Sequence, residues 1–362
     1  MKGRKQNMTQ IAILGYGVVG SGVYQVLCEN AALIARHTGG EAIGVKYVLD
    51  LRDFPGDPAQ DKVVHDFDTI LNDPEVKIVA EVMGGSHPAF EYSMAALRAK
   101  KSVVTSNKEL VANFGPELLA AAEENGVRYR YEASVGGGIP CISAIENSLM
   151  GDEITEINGI VNGTTNYILT QMYENGLSFE ECLASARAKG YAEANPAADI
   201  EGTDACRKAC ILGALAFGTL VPPENVSTVG ISSVTQADVE RAAKNHCVIK
   251  LIARAVKLEN GKIHIRVAPF AVKKSNPLAN INDVYNGILI HGNAVGDVLL
   301  YGAGAGKRPT ASAVVSDIID IVLHRNDRIH NLQWVRDASV YSADLTPEAQ
   351  AVMEEKLGTP LC

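Results

Sequence analysis

The feature that most constrains this chain is a glycine-rich turn near its start, I-A-I-L-G-Y-G-V-V-G at residues 11–20. Gly15, Gly17 and Gly20 have the spacing G-x-G-x-x-G, directly after a predicted strand and at the start of a predicted helix. Glycine there permits a tight turn and lets a pyrophosphate group approach the N-terminus of the helix. The spacing alone is weak evidence, but with these flanking elements it predicts a dinucleotide-binding domain.

The first third of the chain alternates between strand-like and helix-like segments. The predicted strands are 11–14, 42–49, 77–82, 102–105 and 127–132, and the predicted helices are about 18–36, 88–100 and 116–125. Such alternation is typical of a parallel, doubly wound sheet of the Rossmann type in an α/β domain. Since 362 residues are too many for one ordinary core, a second domain is also expected.

The pattern changes after about residue 150. Strand-like runs at 153–161, 248–258 and 262–272 are separated by a long helical stretch at 164–220, which predicts an α+β domain with a largely antiparallel sheet. The predicted division is a dinucleotide-binding domain at 1–135, completed by a helix at about 307–325, a substrate-binding and dimerisation domain at 136–306, and a C-terminal extension at 326–362.

Composition excludes several classes of protein. The chain is 47% apolar and 21% charged, as soluble globular proteins are, and its formal net charge of −9 argues against a nucleic-acid partner. The sequence contains no run of eighteen apolar residues, so it predicts no membrane span. The seven cysteines form no C-x-x-C motif, which indicates reduced thiols. We therefore expect a cytoplasmic protein that acts on small molecules.

The predicted helix after Gly202 places charged residues on an apolar face. Asp204, Lys208, Ile211 and Leu215 fall on one stripe at 3.6 residues per turn. One interpretation is an exposed Asp-to-Lys pair, which would stabilise the helix by a few tenths of a kcal/mol. The other is a functional lysine held against a core, and we favour it because the helix beyond Lys208 has no polar face to expose to water.

Three further segments carry polar residues at predicted strand ends or glycine turns. Asp50 would bind the ribose hydroxyl of NAD and Arg52 the 2′-phosphate of NADP, so the residues leave both cofactors open. Lys108, in T-S-N-K after a strand, is as easily a solvated lysine as a site residue. Glu132, before V-G-G-G-I-P, belongs either to a simple loop or to a cation or phosphate site.

Taken together, these segments resemble the homoserine dehydrogenase family over nearly the whole chain. The resemblance rests on G-Y-G-V-V-G-S-G, T-S-N-K-E-L, Y-E-A-S-V-G-G-G-I-P, V-N-G-T-T-N-Y-I-L, G-Y-A-E-A-N-P-A-A-D-I-E-G-T-D-A-C-R-K and G-A-G-A-G-K-R-P-T-A-S-A. It implies NAD(P)H-dependent reduction of L-aspartate 4-semialdehyde to L-homoserine in threonine and methionine biosynthesis, by a homodimer. The alternatives are another NAD(P)-dependent amino-acid dehydrogenase and a non-catalytic dinucleotide-sensing protein.

The resemblance also implies roles for individual residues. It makes Lys208 the proton donor, oriented by Asp204, and assigns the substrate ammonium group to Glu193 and Asp199. It places Lys108 between the nicotinamide and the substrate.

For the cofactor, the resemblance implies contacts with Gly15, Gly17, Val18, Val19, Gly20, Arg52, Lys108 and Gly306. The pair Arg52-Asp53 is similar to that of family members using NADP, so NADPH is expected to be preferred and NADH to work.

A monovalent cation, Na⁺ or K⁺, is implied at the Glu132 carboxylate and the carbonyl groups of Val135, Gly137 and Ile139. About 39 residues follow the last predicted helix, so we expect no C-terminal regulatory domain and no inhibition by threonine.

Overall fold

The computed structural model describes residues 8–328 and 333–361. These residues form two compact units. Unit 1 contains the described residues up to Gly138 together with the described residues between 305 and 333, and unit 2 contains Ile139–Gly304 and the described residues from Trp334 onwards.

Unit 1 is built on a six-stranded parallel sheet, with the order β3-β2-β1-β4-β5-β6. Its strands are β1 Met8–Leu14, β2 Ala42–Leu49, β3 Val63–Val64, β4 Val76–Glu81, β5 Ser102–Thr105 and β6 Tyr129–Arg130. Its helices are α1 Val18–Glu29, α2 Ala31–His37, α3 Phe67–Leu71, α4 Ala89–Arg98, α5 Lys108–Glu124 and, in chain order, α12 Lys307–Leu323. The predicted Rossmann-type sheet is therefore confirmed.

Two helix predictions in unit 1 are wrong in their bounds. The single helix expected at 18–36 is two helices that meet at 75°, because Asn30 leaves the helical conformation and such short polar side chains compete with the helix backbone. The helix expected from Pro116 begins at Lys108 instead. Asn107 caps it, since its side-chain oxygen accepts the N–H of Leu110 at 3.1 Å.

Unit 2 contains a mostly antiparallel sheet of seven strands. Its main path is β13-β12-β7-β10-β11-β15, and β9 pairs with β11 in the parallel direction. The strands of unit 2 are β7 Ile154–Ile160, β8 Thr219–Leu220, β9 Ser227–Thr228, β10 Cys247–Lys257, β11 Ile263–Lys273, β12 Tyr285–Gly292, β13 Gly296–Ala303, β14 Val335–Arg336 and β15 Gly358–Pro360. The predicted antiparallel sheet is confirmed.

The helices of unit 2 show that the long helical stretch predicted at 164–220 is interrupted. They are α6 Cys141–Ser143, α7 Gly163–Asn175, α8 Phe179–Ala188, α9 Ala197–Ile200, α10 Thr203–Phe217, α11 Gln236–Lys244 and α13 Pro347–Lys356. Gly176 ends α7 in the left-handed conformation, and Gly202 precedes α10 in the same conformation. The breaks leave two loops, 189–196 and 201–202, on either side of α9.

The described part of the C-terminal extension completes the sheets of unit 2. Strand β15 pairs with β11, β14 pairs with β8, and the Trp334 side chain is buried. The extension is thus integrated with the α+β fold.

Among the described residues, no single helix is both long and apolar enough to span a membrane. Helices α1 and α2 reach the required length and composition only as a bent pair, and α1 packs against the core of unit 1.

Candidate active site

The glycine turn between β1 and α1 has the shape that a bound pyrophosphate requires. A Cβ atom on Gly20 would lie 1.9 Å from the carbonyl oxygen of Gly15, so only glycine fits there. A Cβ on Gly17 would meet nothing within 4 Å. Val18, the first residue of α1, is exposed, and Val19 is half-buried. The turn is therefore tightly packed inside and open in front of the helix N-terminus, where phosphate groups bind.

Asp50 and Arg52 form an ion pair at the end of β2. Arg52 donates from Nε to one Asp50 oxygen at 2.9 Å and from Nη2 to the other at 3.1 Å, while the backbone N–H of Tyr16 donates to the second oxygen at 2.8 Å. The guanidinium group lowers the pKa of Asp50 to about 2. The carboxylate is already engaged by these donors, whereas 64% of the Arg52 side chain is exposed.

Lys108 follows the end of β5 and is the first residue of α5. It is half-buried. The carboxyl ends of parallel strands are where ligands bind in open α/β sheets, so the structure places Lys108 at the edge of unit 1 that suits a cofactor.

The segment after β6 places a buried carboxylate before a glycine turn. Glu132 is only 4% exposed, and its backbone N–H donates to Asp317 at 2.9 Å. Gly136 and Gly137 then adopt positive φ angles of 71° and 55°, which turn the chain sharply. The donors offered by Glu132, Val135 and Gly137, a carboxylate and carbonyl oxygens, are the hard ligands that alkali cations take. The fourth predicted ligand, Ile139, belongs to unit 2.

Lys208 is the centre of a buried polar cluster in unit 2. Its Nζ donates to the carbonyl oxygen of Val161 and to Asp204 Oδ2, both at 2.7 Å. Lys208 and Asp204 are 9% and 7% exposed, so the interpretation of this pair as an exposed helix-stabilising one is wrong. An ammonium group has three N–H donors, and these two acceptors are its partners among the described residues. One N–H is left for a ligand.

Asn162, which we did not single out from the sequence, organises the carboxylates around Lys208. Its Nδ2 donates to Asp199 at 2.7 Å and to Asp204 at 2.9 Å. Its Oδ1 accepts the N–H of Thr165 and caps α7. The signal available in the sequence was an Asn directly before G-T-T, a pattern that begins helices.

Glu193 and Gly306 complete the set of predicted site residues, and neither belongs to the Lys208 cluster. Glu193 is exposed in the loop before α9, and no described residue bonds to its carboxylate. Gly306 precedes α12 with a φ of +125°, a conformation that other residues rarely adopt.

Cys206 and Cys210 are both buried on α10. The described residues contain no group of three or more His, Cys, Asp or Glu side chains arranged to hold a metal.

The two units together define a class of protein. A glycine turn that fits a pyrophosphate at the head of a parallel sheet, and a lysine held by a carboxylate in a second α+β unit, are the parts of a nicotinamide-dinucleotide-dependent oxidoreductase.

Comparison with known proteins identifies the family. The homoserine dehydrogenase family model matches residues 140–319, and the model for the NAD-binding domain of homoserine dehydrogenase matches residues 15–132. Homoserine dehydrogenase of Synechocystis sp. is 43% identical over 318 residues, 86% of this chain and 73% of the relative. This chain belongs to the homoserine dehydrogenase family, as the sequence motifs predicted.

Solved structures agree with this assignment. A crystal structure of a homoserine dehydrogenase from Thiobacillus denitrificans superposes with a TM-score of 0.85 at 40% identity, covering 91% of this chain and 79% of that one. A hyperthermophilic archaeal homoserine dehydrogenase in complex with NADPH has a TM-score of 0.75 at 30% identity, covering 90% and 99%. The activity is therefore that of an NAD(P)-dependent oxidoreductase acting on a CH–OH group, a step of amino-acid biosynthesis.

Proposed function

We propose that this chain interconverts L-aspartate 4-semialdehyde and L-homoserine at the Lys208 cluster of unit 2, with Lys208 as proton donor and acceptor. The observation that carries the proposal is the Lys208 ammonium group, which is buried and bonded to Asp204 and Val161 with one N–H to spare. The hydrogen bond to Asp204 fixes the direction of the Lys208 ammonium group.

The reduction needs a proton as well as a hydride. The nicotinamide supplies the hydride when bound. As the carbonyl carbon accepts it, the carbonyl oxygen gains negative charge, which a nearby ammonium group stabilises and protonates. Lys208 gives that proton and is left neutral. In the oxidation of homoserine, neutral Lys208 takes the proton from the hydroxyl group, so the oxidative rate should rise towards alkaline pH.

The substrate ammonium group requires carboxylate partners. Asp199 is half-buried and oriented by Asn162, and Glu193 is free to turn towards a ligand from its exposed loop. A charged group that leaves water must regain such charge-assisted hydrogen bonds. We assign Asp199 and Glu193 to this role.

The experiment that tests the proposed function compares L-homoserine with 4-hydroxybutanoate, which lacks only the amino group. We expect reduction of NAD(P)⁺ with homoserine and a kcat/KM at least about tenfold lower with the analogue, since a hydrogen bond to a charged group contributes about 1.5–3 kcal/mol. Intact cofactor binding without homoserine-dependent turnover would instead favour the dinucleotide-sensing alternative.

For the cofactor, we propose a preference for NADPH. The Asp50 carboxylate is engaged by Arg52 and Tyr16, which leaves the exposed side of the Arg52 guanidinium group for a 2′-phosphate. The NADPH complex of the archaeal relative supports the same choice.

Replacing Arg52 with Ala is expected to raise KM for NADPH by about tenfold or more and to change KM for NADH little, because arginine–phosphate hydrogen bonds are charge-assisted. Initial rates with both cofactors measure this. Arg98→Ala, at an exposed arginine that ends α4, is the matched control. An equal rise in KM for NADPH and NADH in Arg52→Ala would show that Arg52 does not bind the 2′-phosphate.

We also propose a monovalent cation at Glu132, bound by its carboxylate and by the carbonyl groups of Val135, Gly137 and Ile139. Exchanging Na⁺ and K⁺ for tetramethylammonium is expected to lower the rate, because the bulky ion cannot fit among these oxygens. Glu132→Gln should lose the response to the ion. Rates that do not change with the cation would exclude the site.

The homodimer is proposed from the edge of the sheet in unit 2. No described strand pairs with the outer side of β13, and its Leu299 and Tyr301 side chains are exposed. An exposed apolar edge strand favours pairing with another chain. Light scattering should give twice the mass of one chain, and Tyr301→Glu should reduce it; a wild type with the mass of one chain would exclude the dimer.

A further inference from the structure

Glu81 is a buried carboxyl group that has no role in the proposed mechanism. It is the last residue of β4 and is 0% exposed. Its Oε1 accepts the backbone N–H of Met83 at 2.8 Å, and its Oε2 accepts the Thr105 hydroxyl group at 2.5 Å. No Lys, Arg or His side chain of the described residues pairs with it. Burying a carboxyl group without a cation is costly, so its presence calls for a function.

The two hydrogen bonds of Glu81 belong to a closed ring that joins two loops. Thr105 Oγ1 accepts the N–H of Asn107 at 2.9 Å, and Asn107 Nδ2 donates to the carbonyl oxygen of Gly85 at 2.7 Å. The ring therefore runs from Glu81 through loop 83–85 to Asn107 and back through Thr105. Because Asn107 also caps α5, the ring fixes the first turn of that helix, which begins with Lys108.

The ring lies at the carboxyl ends of two neighbouring parallel strands. Strands β4 and β5 end at Glu81 and Thr105, which pair with each other in the sheet. This is the edge at which open α/β sheets bind their ligands. The loop and the helix start that Glu81 holds are therefore the parts of unit 1 that would meet the nicotinamide end of a cofactor.

Protonation of Glu81 disrupts the ring. A carboxylate accepts hydrogen bonds only, which suits the two donors Met83 N–H and Thr105 Oγ1–H. A proton on Oε1 competes with the Met83 N–H for that oxygen, and a proton on Oε2 forces the Thr105 hydroxyl group, which already accepts from Asn107, to accept instead of donate, so protonation weakens or reverses a hydrogen bond of the ring. Burial raises the pKa of Glu81 to about 7, so both forms occur near neutral pH.

Among the described residues, one other titratable group responds to the charge of Glu81. The Tyr129 phenol on β6 is buried without a hydrogen-bond partner among the described residues, and its burial and, to a smaller extent, the charge of Glu81 raise its pKa. None of the described charged side chains on β1, β5, α4 or α12, which pack against β4, changes the pKa of Glu81. The pH dependence of the hydrogen-bonded ring is therefore set by the protonation of Glu81.

We propose that Glu81 is a positioning residue for the nicotinamide end of the cofactor: its ionised carboxylate holds loop 83–85 and the start of α5 in the arrangement that binds the cofactor. This inference rests on the proposed function, which assigns Lys108 to the nicotinamide. Glu81 touches neither substrate nor reacting atoms and acts through the loop and the helix.

The test is the dissociation constant of NADH at pH 8 and pH 6 for the wild type and Glu81→Gln, measured by fluorescence titration. NADH is the probe because it lacks the 2′-phosphate, which itself titrates near pH 6. At pH 8 we expect Glu81→Gln to bind NADH about 2- to 12-fold more weakly, the worth of one hydrogen bond. The wild type should weaken on going to pH 6, while Glu81→Gln should be equally weak at both pH values.

A matched pair of variants distinguishes a role in positioning the cofactor-binding loop from a general effect on the stability of the sheet. Thr105→Val breaks the hydroxyl–carboxylate bond of the ring, and Thr9→Val breaks a bond of the same kind between Thr9 and the buried Glu41 at the opposite edge of the sheet. We expect only Thr105→Val to weaken NADH binding.

NADH binding in Glu81→Gln that equals the wild type at both pH values would overturn the proposal, as would equal losses in the two threonine variants. Because the titration contains no homoserine, its outcome is independent of whether homoserine is oxidised.

Discussion

Lys208→Met is expected to lower kcat by roughly 10²–10⁴-fold, the usual loss when a positioned acid is removed. Methionine keeps most of the length of the unbranched side chain but cannot carry the proton. Cofactor affinity should barely change, because the glycine turn that binds the pyrophosphate lies in unit 1 and Lys208 lies in unit 2. The measurement is kcat together with the dissociation constant of NADPH.

The control for Lys208→Met is Arg207→Met, which removes a positive charge from the neighbouring, half-buried position of α10. We expect that variant to keep most of the wild-type rate. If Lys208→Met retains more than about a tenth of the native rate, well short of the loss expected for a general acid, Lys208 is only an ion-pair partner of Asp204.

Gly20→Ala is expected to damage unit 1 even without a cofactor. The added Cβ would lie 1.9 Å from the carbonyl oxygen of Gly15. Because this oxygen belongs to the backbone, it can move away only if the whole turn is distorted. Overpacking of this kind typically costs about 1–3 kcal/mol, occasionally more. We therefore expect a lower unfolding midpoint and a large loss of NADPH affinity, measured by denaturant titration and fluorescence.

Gly17→Ala is the informative partner of that variant. Its Cβ meets no protein atom within 4 Å, so the unfolding midpoint should stay close to that of the wild type. NADPH should nevertheless bind more weakly, because the methyl group would occupy the space in front of α1 where the pyrophosphate approaches. Unchanged affinity in Gly17→Ala would show that the dinucleotide does not bind at this turn.

The features that could be predicted from the sequence are those set by local patterns. The alternation of strands and helices predicted the parallel sheet, because strands and helices differ in the spacing of their apolar residues and can be told apart locally. The stripe of Asp204, Lys208, Ile211 and Leu215 followed from 3.6 residues per turn, and all four are buried. The glycine turn was likewise predictable, because the spacing of Gly15, Gly17 and Gly20 lies within one short stretch of chain.

The features that could not be predicted depend on contacts between distant segments. Asn162 and Asp199 are 37 residues apart in the sequence, and nothing local to either shows that they meet. Glu81 is one residue before the end of the strand predicted at 77–82, and its partner Thr105 lies 24 residues away in the sequence. The start of α5 at Lys108 was missed because Pro116 resembles a first-turn proline, whereas the cap is Asn107.

The central claim is that Lys208 carries the proton, and the pH dependence of homoserine oxidation tests it most directly. The rate is measured from neutral to alkaline pH for the wild type, Lys208→Met and Lys108→Met. We predict that the rate climbs towards alkaline pH in the wild type and, from a lower level, in Lys108→Met, but is flat in Lys208→Met. A rate that still climbs in Lys208→Met and is flat in Lys108→Met would contradict the claim and assign the proton to Lys108.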